Sequence, residues 1–134
     1  MSKKEDKIEY LLQSAHIKYV REKTFTDLGL GSMRFDFYLP ELNYLIEYDS
    51  MLHFKQISKF HKTRKSFTHA QENDRRKNSF ALARNIPLYR IPEWEFDKIK
   101  EAKDLFQDKY RVTTKWWNDI IYREYLRGGD FVGP

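Results

Sequence analysis

Two short segments between Met33 and Asp49 leave the chain few folds to choose from. In Met33 to Leu39 the residues Phe35, Phe37 and Leu39 fall on one side of an extended backbone, and Asp36 and Tyr38 on the other. Pro40 ends that strand. After a turn over Glu41 to Asn43, Tyr44 to Asp49 forms a second strand, expected as its antiparallel partner. Around this pair the remaining elements follow from spacing. Ser2 and Glu5 have the spacing of a capping box, and Ile8, Leu11, Leu12 and Ala15 continue it at helical intervals. Ile17 to Phe25 reads as a strand, and Gly29 and Gly31 mark a turn. A second capping pair, Thr68 and Gln71, opens a helix to about Arg84, which Asn85 and Pro87 stop. Leu88 to Ile91 is a short apolar strand, placed parallel to the sheet by the helical crossover. Beyond Pro92 the pattern turns helical, through Ile99, Ala102 and Phe106 and then Trp117, Ile120 and Ile121.

The order helix, three strands, helix, strand, helices predicts an α/β domain, a mixed central β-sheet flanked by helices. With 134 residues and no linker-like stretch, one domain is expected over 1–134, its core at about 3–95 and a helical extension at about 96–128. The chain has no cysteine, which removes disulfides, thiol catalysis and cysteine zinc sites, and fits a cytoplasmic setting. Met1 to Asp6 is charged and leads into no long apolar stretch, so neither a signal peptide nor a membrane span is expected.

The chemistry gathers on the two central strands. Glu47 and Asp49 share a face of the second strand, and pairing with the first brings Asp36 towards them. Three carboxylates so close repel one another unless a cation neutralises them, and hard oxygen donors suit Mg²⁺ or Mn²⁺. For any single acid, a solvated face or an ion pair with Arg34 or a lysine is the plainer reading. From Ser50 to Gln71 no acid occurs, while Lys55, Lys59, Lys62, Arg64 and Lys65 all do. That run is either a solvated loop or an arm that holds a phosphate backbone beside the acids. In the following helix Ala70, Asp74, Lys77 and Ala81 form one stripe. Asp74 and Lys77 then either face the sheet or pair with each other along the helix.

These pieces stand in a telling order: Arg34-Phe-Asp-Phe-Tyr-Leu-Pro, Leu45-Ile-Glu-Tyr-Asp, His53-Phe, Asp74 with Lys77, and Ile86-Pro-Leu-Tyr-Arg-Ile-Pro92. With Glu5 three residues before Ile8, they resemble the PD-(D/E)xK nuclease superfamily over about residues 3 to 95. The nearest branch holds very-short-patch repair endonucleases and phage homing endonucleases with a Glu-Asp-x-His-Asp site. The resemblance implies a restriction-endonuclease-like core and a divalent-metal-dependent DNA endonuclease, working in the cytoplasm of a bacterial or phage-infected cell. It implies metal ligation by Asp36, Glu47 and Asp49, and a base or water-orienting role for His53 supported by Asp74. Lys77 would stabilise charge on the phosphate. Glu5 would touch the metal's water shell, although it also fits as the capping partner of Ser2. The branch has glycine and glutamine where this chain has Ser50 and Leu52, which leaves the reach of His53 open. Two other readings stand beside it: a nuclease-like module that binds nucleic acid without cleaving it, and an assembly protein. Whether the chain acts as a homodimer is also left open.

Overall fold

The structure is a computed structural model, and it describes residues 3–25, 33–50 and 64–113. It contains helix α1 (Lys3–Ser14), strands β1 (Val20–Thr24), β2 (Arg34–Leu39) and β3 (Tyr44–Asp49), helix α2 (Arg64–Ala83) and strand β4 (Leu88–Pro92). Three short 3₁₀ helices follow, Glu93–Lys98, Ala102–Phe106 and Asp108–Tyr110. The strands make one mixed sheet in the order β1-β2-β3-β4, antiparallel except for the parallel pair β3–β4. This is the α/β arrangement expected, with β2 and β3 antiparallel and β4 parallel to its neighbour as the sequence suggests; the pairing of β1 with β2 comes from the structure. Among the described residues no helix is long and apolar enough to cross a membrane.

Both faces of the sheet are covered. On one, α1 and the 3₁₀ segment enclose Ile8, Leu12, Phe37, Leu39, Ile46, Ile91, Ile99 and Leu105. On the other, α2 and Val112 cover Phe35, Leu45, Phe80, Ala81 and Leu88. Burial of such side chains contributes roughly 1.5–3 kcal/mol each.

Both helices end in the same way. Ile17 N–H donates to Leu12 O at 2.9 Å and His16 N–H to Gln13 O at 3.0 Å, with His16 at φ 58°. Ile86 N–H donates to Ala81 O at 3.0 Å and Asn85 N–H to Leu82 O at 3.2 Å, with Asn85 at φ 55°. These are Schellman closures with a left-handed residue at the turn. The first takes Ile17, expected in the strand, into the closing turn, and β1 starts only at Val20. Helix α2 is already running at Thr68, because nothing from Arg64 onward breaks it, so Thr68 is an interior residue and not its cap.

After β4 the expected α-helix is absent from 93–113. Burial there recurs every three residues, at Phe96, Ile99, Ala102 and Leu105, close to the 3₁₀ period, and Phe106 is only half-buried. Glu95 ties the segment together. Tyr110 Oη donates to its Oε1 at 2.9 Å, and Lys98 and Lys109 lie at 3.1 Å. Burial pushes this carboxyl up, and those three donors outweigh it and hold it below the usual range. Trp117, Ile120 and Ile121 lie outside the described residues.

Leu12 is fully buried in the α1-side cluster. Leu12→Ala should therefore cost about 2–5 kcal/mol. Exposed Tyr10, on the opposite side of α1 from Ile8 and Leu12, should cost well under 1 kcal/mol as Tyr10→Ala. Urea unfolding of both variants checks the contrast.

Candidate functional site

The central site begins with a fault in the sheet. Cα partners between β1 and β2 run Val20–Tyr38, Arg21–Phe37, Lys23–Phe35 and Thr24–Arg34, stepping over Glu22 and Asp36. Glu22 has φ 52°, unusual for a residue with a Cβ inside a strand. Between β2 and β3 the register ends at Phe37–Ile46, one step short of Asp36 and Glu47. Side chains fill the interruption. Tyr48 N–H donates to Asp36 Oδ2 at 2.8 Å, and Asp36 N–H donates to Glu47 Oε2 at 2.7 Å. Two carboxylates thus serve as acceptors where a regular ladder would use carbonyls.

The fault also turns the chain over. Arg21 and Lys23 are two apart, yet Arg21 stacks on Phe37 and reaches Glu5, Asp6 and Glu9 of α1, whereas Lys23 lies over Phe25 and Tyr38. Phe35 turns likewise. It is buried as the alternation predicts, but it joins the α2-side cluster while Phe37 and Leu39 join the α1-side one. The expectation that all three share a face is corrected by this break at Asp36.

From α2, Lys77 reaches the site: its Nζ lies 3.1 Å from Glu47 Oε1 and 5.6 Å from the centre of the Phe35 ring. Glu47 is 2% exposed, so its charge is balanced by this lysine and by the backbone donor. Burial pushes the Asp36 carboxyl up to about 8, and neighbouring Glu47 adds to the shift; Tyr48 N–H and Lys77 oppose it.

Asp49 takes a different path. It is 1% exposed, and its Oδ1 accepts from Arg90 Nη1 at 2.7 Å. Arg90, wholly buried on β4, also donates Nε to Asn78 Oδ1 at 2.7 Å and Nη2 to the Asp74 carbonyl at 3.3 Å, with Asp74 Oδ1 at 3.7 Å. Burial pulls this guanidinium down, and Asp49, Asp74, Glu47 and Asp36 outweigh it and hold it up. Asn78 Nδ2 is buried without a hydrogen-bond partner. Asp74 therefore serves the arginine, and Lys77 reaches across to the sheet.

The structure thus brings Asp36, Glu47 and Lys77 together, with Asp49, Asp74 and Arg90 adjoining. Glu5 pairs with Arg21 at 3.1 Å on the α1 side, and its charge still raises the Asp36 carboxyl. His53, Lys55, Lys59 and Lys62 lie outside the described residues, as do the side chains of Arg64 and Lys65 at the start of α2. Arg90 and Asn78 escaped the sequence reading. The signal was present: an arginine in a strand buried on both faces must find a carboxylate.

Among the described residues no three acidic or histidine side chains gather as a ready metal cage. The charges nevertheless fit a divalent cation. Among the described residues, Lys77 and Arg90 supply two positive charges beside the four carboxylates Asp36, Glu47, Asp49 and Asp74, and Asp36 and Glu47 could together hold the ion. Mg²⁺ commonly takes one or two carboxylates and fills its remaining positions with water and phosphate oxygens. Compared with family models, curated proteins and solved structures, the chain matches none.

Two outcomes follow. A carboxyl raised from 3.8 to about 8 binds its proton more tightly in the folded state than in the unfolded one. Its contribution to stability should fall as pH climbs from about 4 to about 8 in chelator, and Asp36→Asn should flatten that fall in urea-denaturation series. Arg90→Met leaves Asp49 buried without its partner and should cost about 3–5 kcal/mol. The double variant Asp49→Leu with Arg90→Met should recover much of that loss, measured in the same assay.

Proposed function

We propose that this chain is a divalent-metal-dependent DNA endonuclease with a restriction-endonuclease-like core, of the PD-(D/E)xK kind its motifs resemble. The observation that carries the reading is the Asp36–Glu47 pair, set into the interrupted β2–β3 ladder with Lys77 beside it. A structural role alone would favour neutral acceptors there, since two adjoining carboxylates with one pushed up to about 8 oppose folding. Asp36 and Glu47 would hold Mg²⁺ or Mn²⁺, while Asp49, committed to Arg90, would orient the end of β3 and would not ligate the ion. When bound, the cation polarises a phosphoryl oxygen and eases loss of a proton from water.

The chain's own groups do the rest. Lys77, whose Nζ lies 3.1 Å from Glu47 Oε1, would stabilise the charge that grows on the phosphate. Glu47 holds that lysine in place. His53, four residues beyond β3, is the proposed base, and the run Lys55, Lys59, Lys62, Arg64 and Lys65 is the proposed DNA arm.

Incubation with linear, nicked, mismatched and branched DNA, with Mg²⁺ or Mn²⁺ and with chelator, tests the proposal. Cleavage should need the metal. Asp36→Asn should abolish it together with calorimetric Mn²⁺ binding, and Lys77→Ala should slow it by roughly 10²- to 10³-fold without loss of fold. Tight DNA binding without cleavage of any substrate would instead make the chain a nuclease-like binding module.

A further inference from the structure

Charge is sorted across β1. On the α1 side, Glu5, Asp6 and Glu9 surround Arg21. On the α2 side, among the described residues, Glu47 meets Lys77 and Asp74 meets Arg90, while Glu22 meets Arg34 at the interruption itself. Lys23 and exposed Arg76 are on that same side, and neither belongs to an ion pair among the described residues.

The cations there are also held in position. Four rings touch in one platform, with centroids 5.0 Å apart for Phe25–Phe80, 5.9 Å for Phe35–Phe80 and 5.8 Å for Phe25–Tyr38. Lys23 Nζ stands 5.2 Å from the Phe25 centroid and 5.7 Å from that of Tyr38. The Arg84 guanidinium stacks 4.2 Å from Phe80, and Lys77 stands 5.6 Å from Phe35. Arg76 is one helical turn before Phe80 and so lies on the flank of α2 that faces β1. A lysine resting on a ring loses less side-chain freedom when it meets a phosphate than one free in solvent.

We propose that Lys23 and Arg76, continued by Arg84, form a phosphate-binding strip that carries the backbone of duplex DNA past Lys77 to the Asp36–Glu47 pair. It rests on the nuclease reading for the identity of the polyanion. It is separate from the basic run at residues 55–65, and nothing in the sequence pattern marked it, because its members come from β1, from the interior of α2 and from the turn that closes it. Its contacts are to phosphates, so it strengthens binding to every sequence alike.

Binding of a short duplex to the full chain, measured by fluorescence anisotropy in chelator over a salt series, tests the strip. Lys23→Ala with Arg76→Ala should lower the slope of log K against log salt by up to about 1.8, and Arg76→Ala alone by about 0.9. The exposed Arg76 makes the single variant safe for folding, and thermal melting checks both. Lys100→Ala with Lys103→Ala removes the same charge from the opposite side of the sheet and should leave the slope unchanged. Equal loss in both double variants, or no loss in the first, overturns the strip while leaving the nuclease reading in place. A wild-type chain that binds no linear, nicked, mismatched or branched DNA overturns both.

Discussion

Asp36 and Glu47 each have two tasks that pull against each other. As hydrogen-bond acceptors they complete a ladder that would otherwise leave the N–H groups of Tyr48 and Asp36 without partners inside the protein. As neighbouring carboxylates they repel, and burial magnifies the repulsion until Asp36 is pushed up to about 8. The sheet tolerates the conflict because the ladder is interrupted on both sides of Asp36 at once, at Glu22 and at Glu47. A side chain can enter only where the strands have ceased to pair. The interruption then fixes what surrounds it: Phe35 and Lys23 turn to the α2 face, Phe37 and Arg21 to the α1 face.

Arg90 solves a second problem of the same kind. Strand β4 is buried along its whole length, and an arginine there is costly unless every donor is used. Asp49 of β3, Asn78 and Asp74 of α2 use them. One guanidinium therefore bonds two strands to the helix between them, at the same level of the sheet as Lys77. Such a network adds little net stability over apolar packing, but it holds the lysine-bearing turn of α2 in one rotation relative to β3. Position, more than stability, is what the arrangement secures.

How much of this could be read from the sequence depends on range. The β2–β3 pair was legible because alternation, Pro40 and Asn43 are local signals, and β4 followed because a crossover leaves it one sensible place. The acids on one face of β3 and the inward stripe of α2 were likewise periodic. The turnover at Asp36 was not, because a period-two rule assumes an unbroken strand and Glu22 announces no positive φ. The 3₁₀ segment was missed because spacings of three and of three and four look alike over a dozen residues. Arg90 was visible as an oddity in an apolar strand, yet its choice of Asp49 over a solvated role depends on a contact 41 residues away. Contacts at that distance belong to packing, and local pattern does not encode them.

The assignment of Asp49 shows what packing changes. On the sequence, Glu47 and Asp49 are equivalent, two residues apart on one face of one strand. In the fold, Glu47 meets a lysine that is partly reachable from solvent, whereas Asp49 meets an arginine that is not. An ammonium on a flexible stem can give up a carboxylate oxygen to a cation and take a phosphate oxygen instead. A guanidinium fixed by three partners keeps its carboxylate. Under the proposed function, Glu47 would work on the substrate and Asp49 would hold the site in shape, a division set by the cation each meets, Lys77 from one turn of α2 and Arg90 from β4.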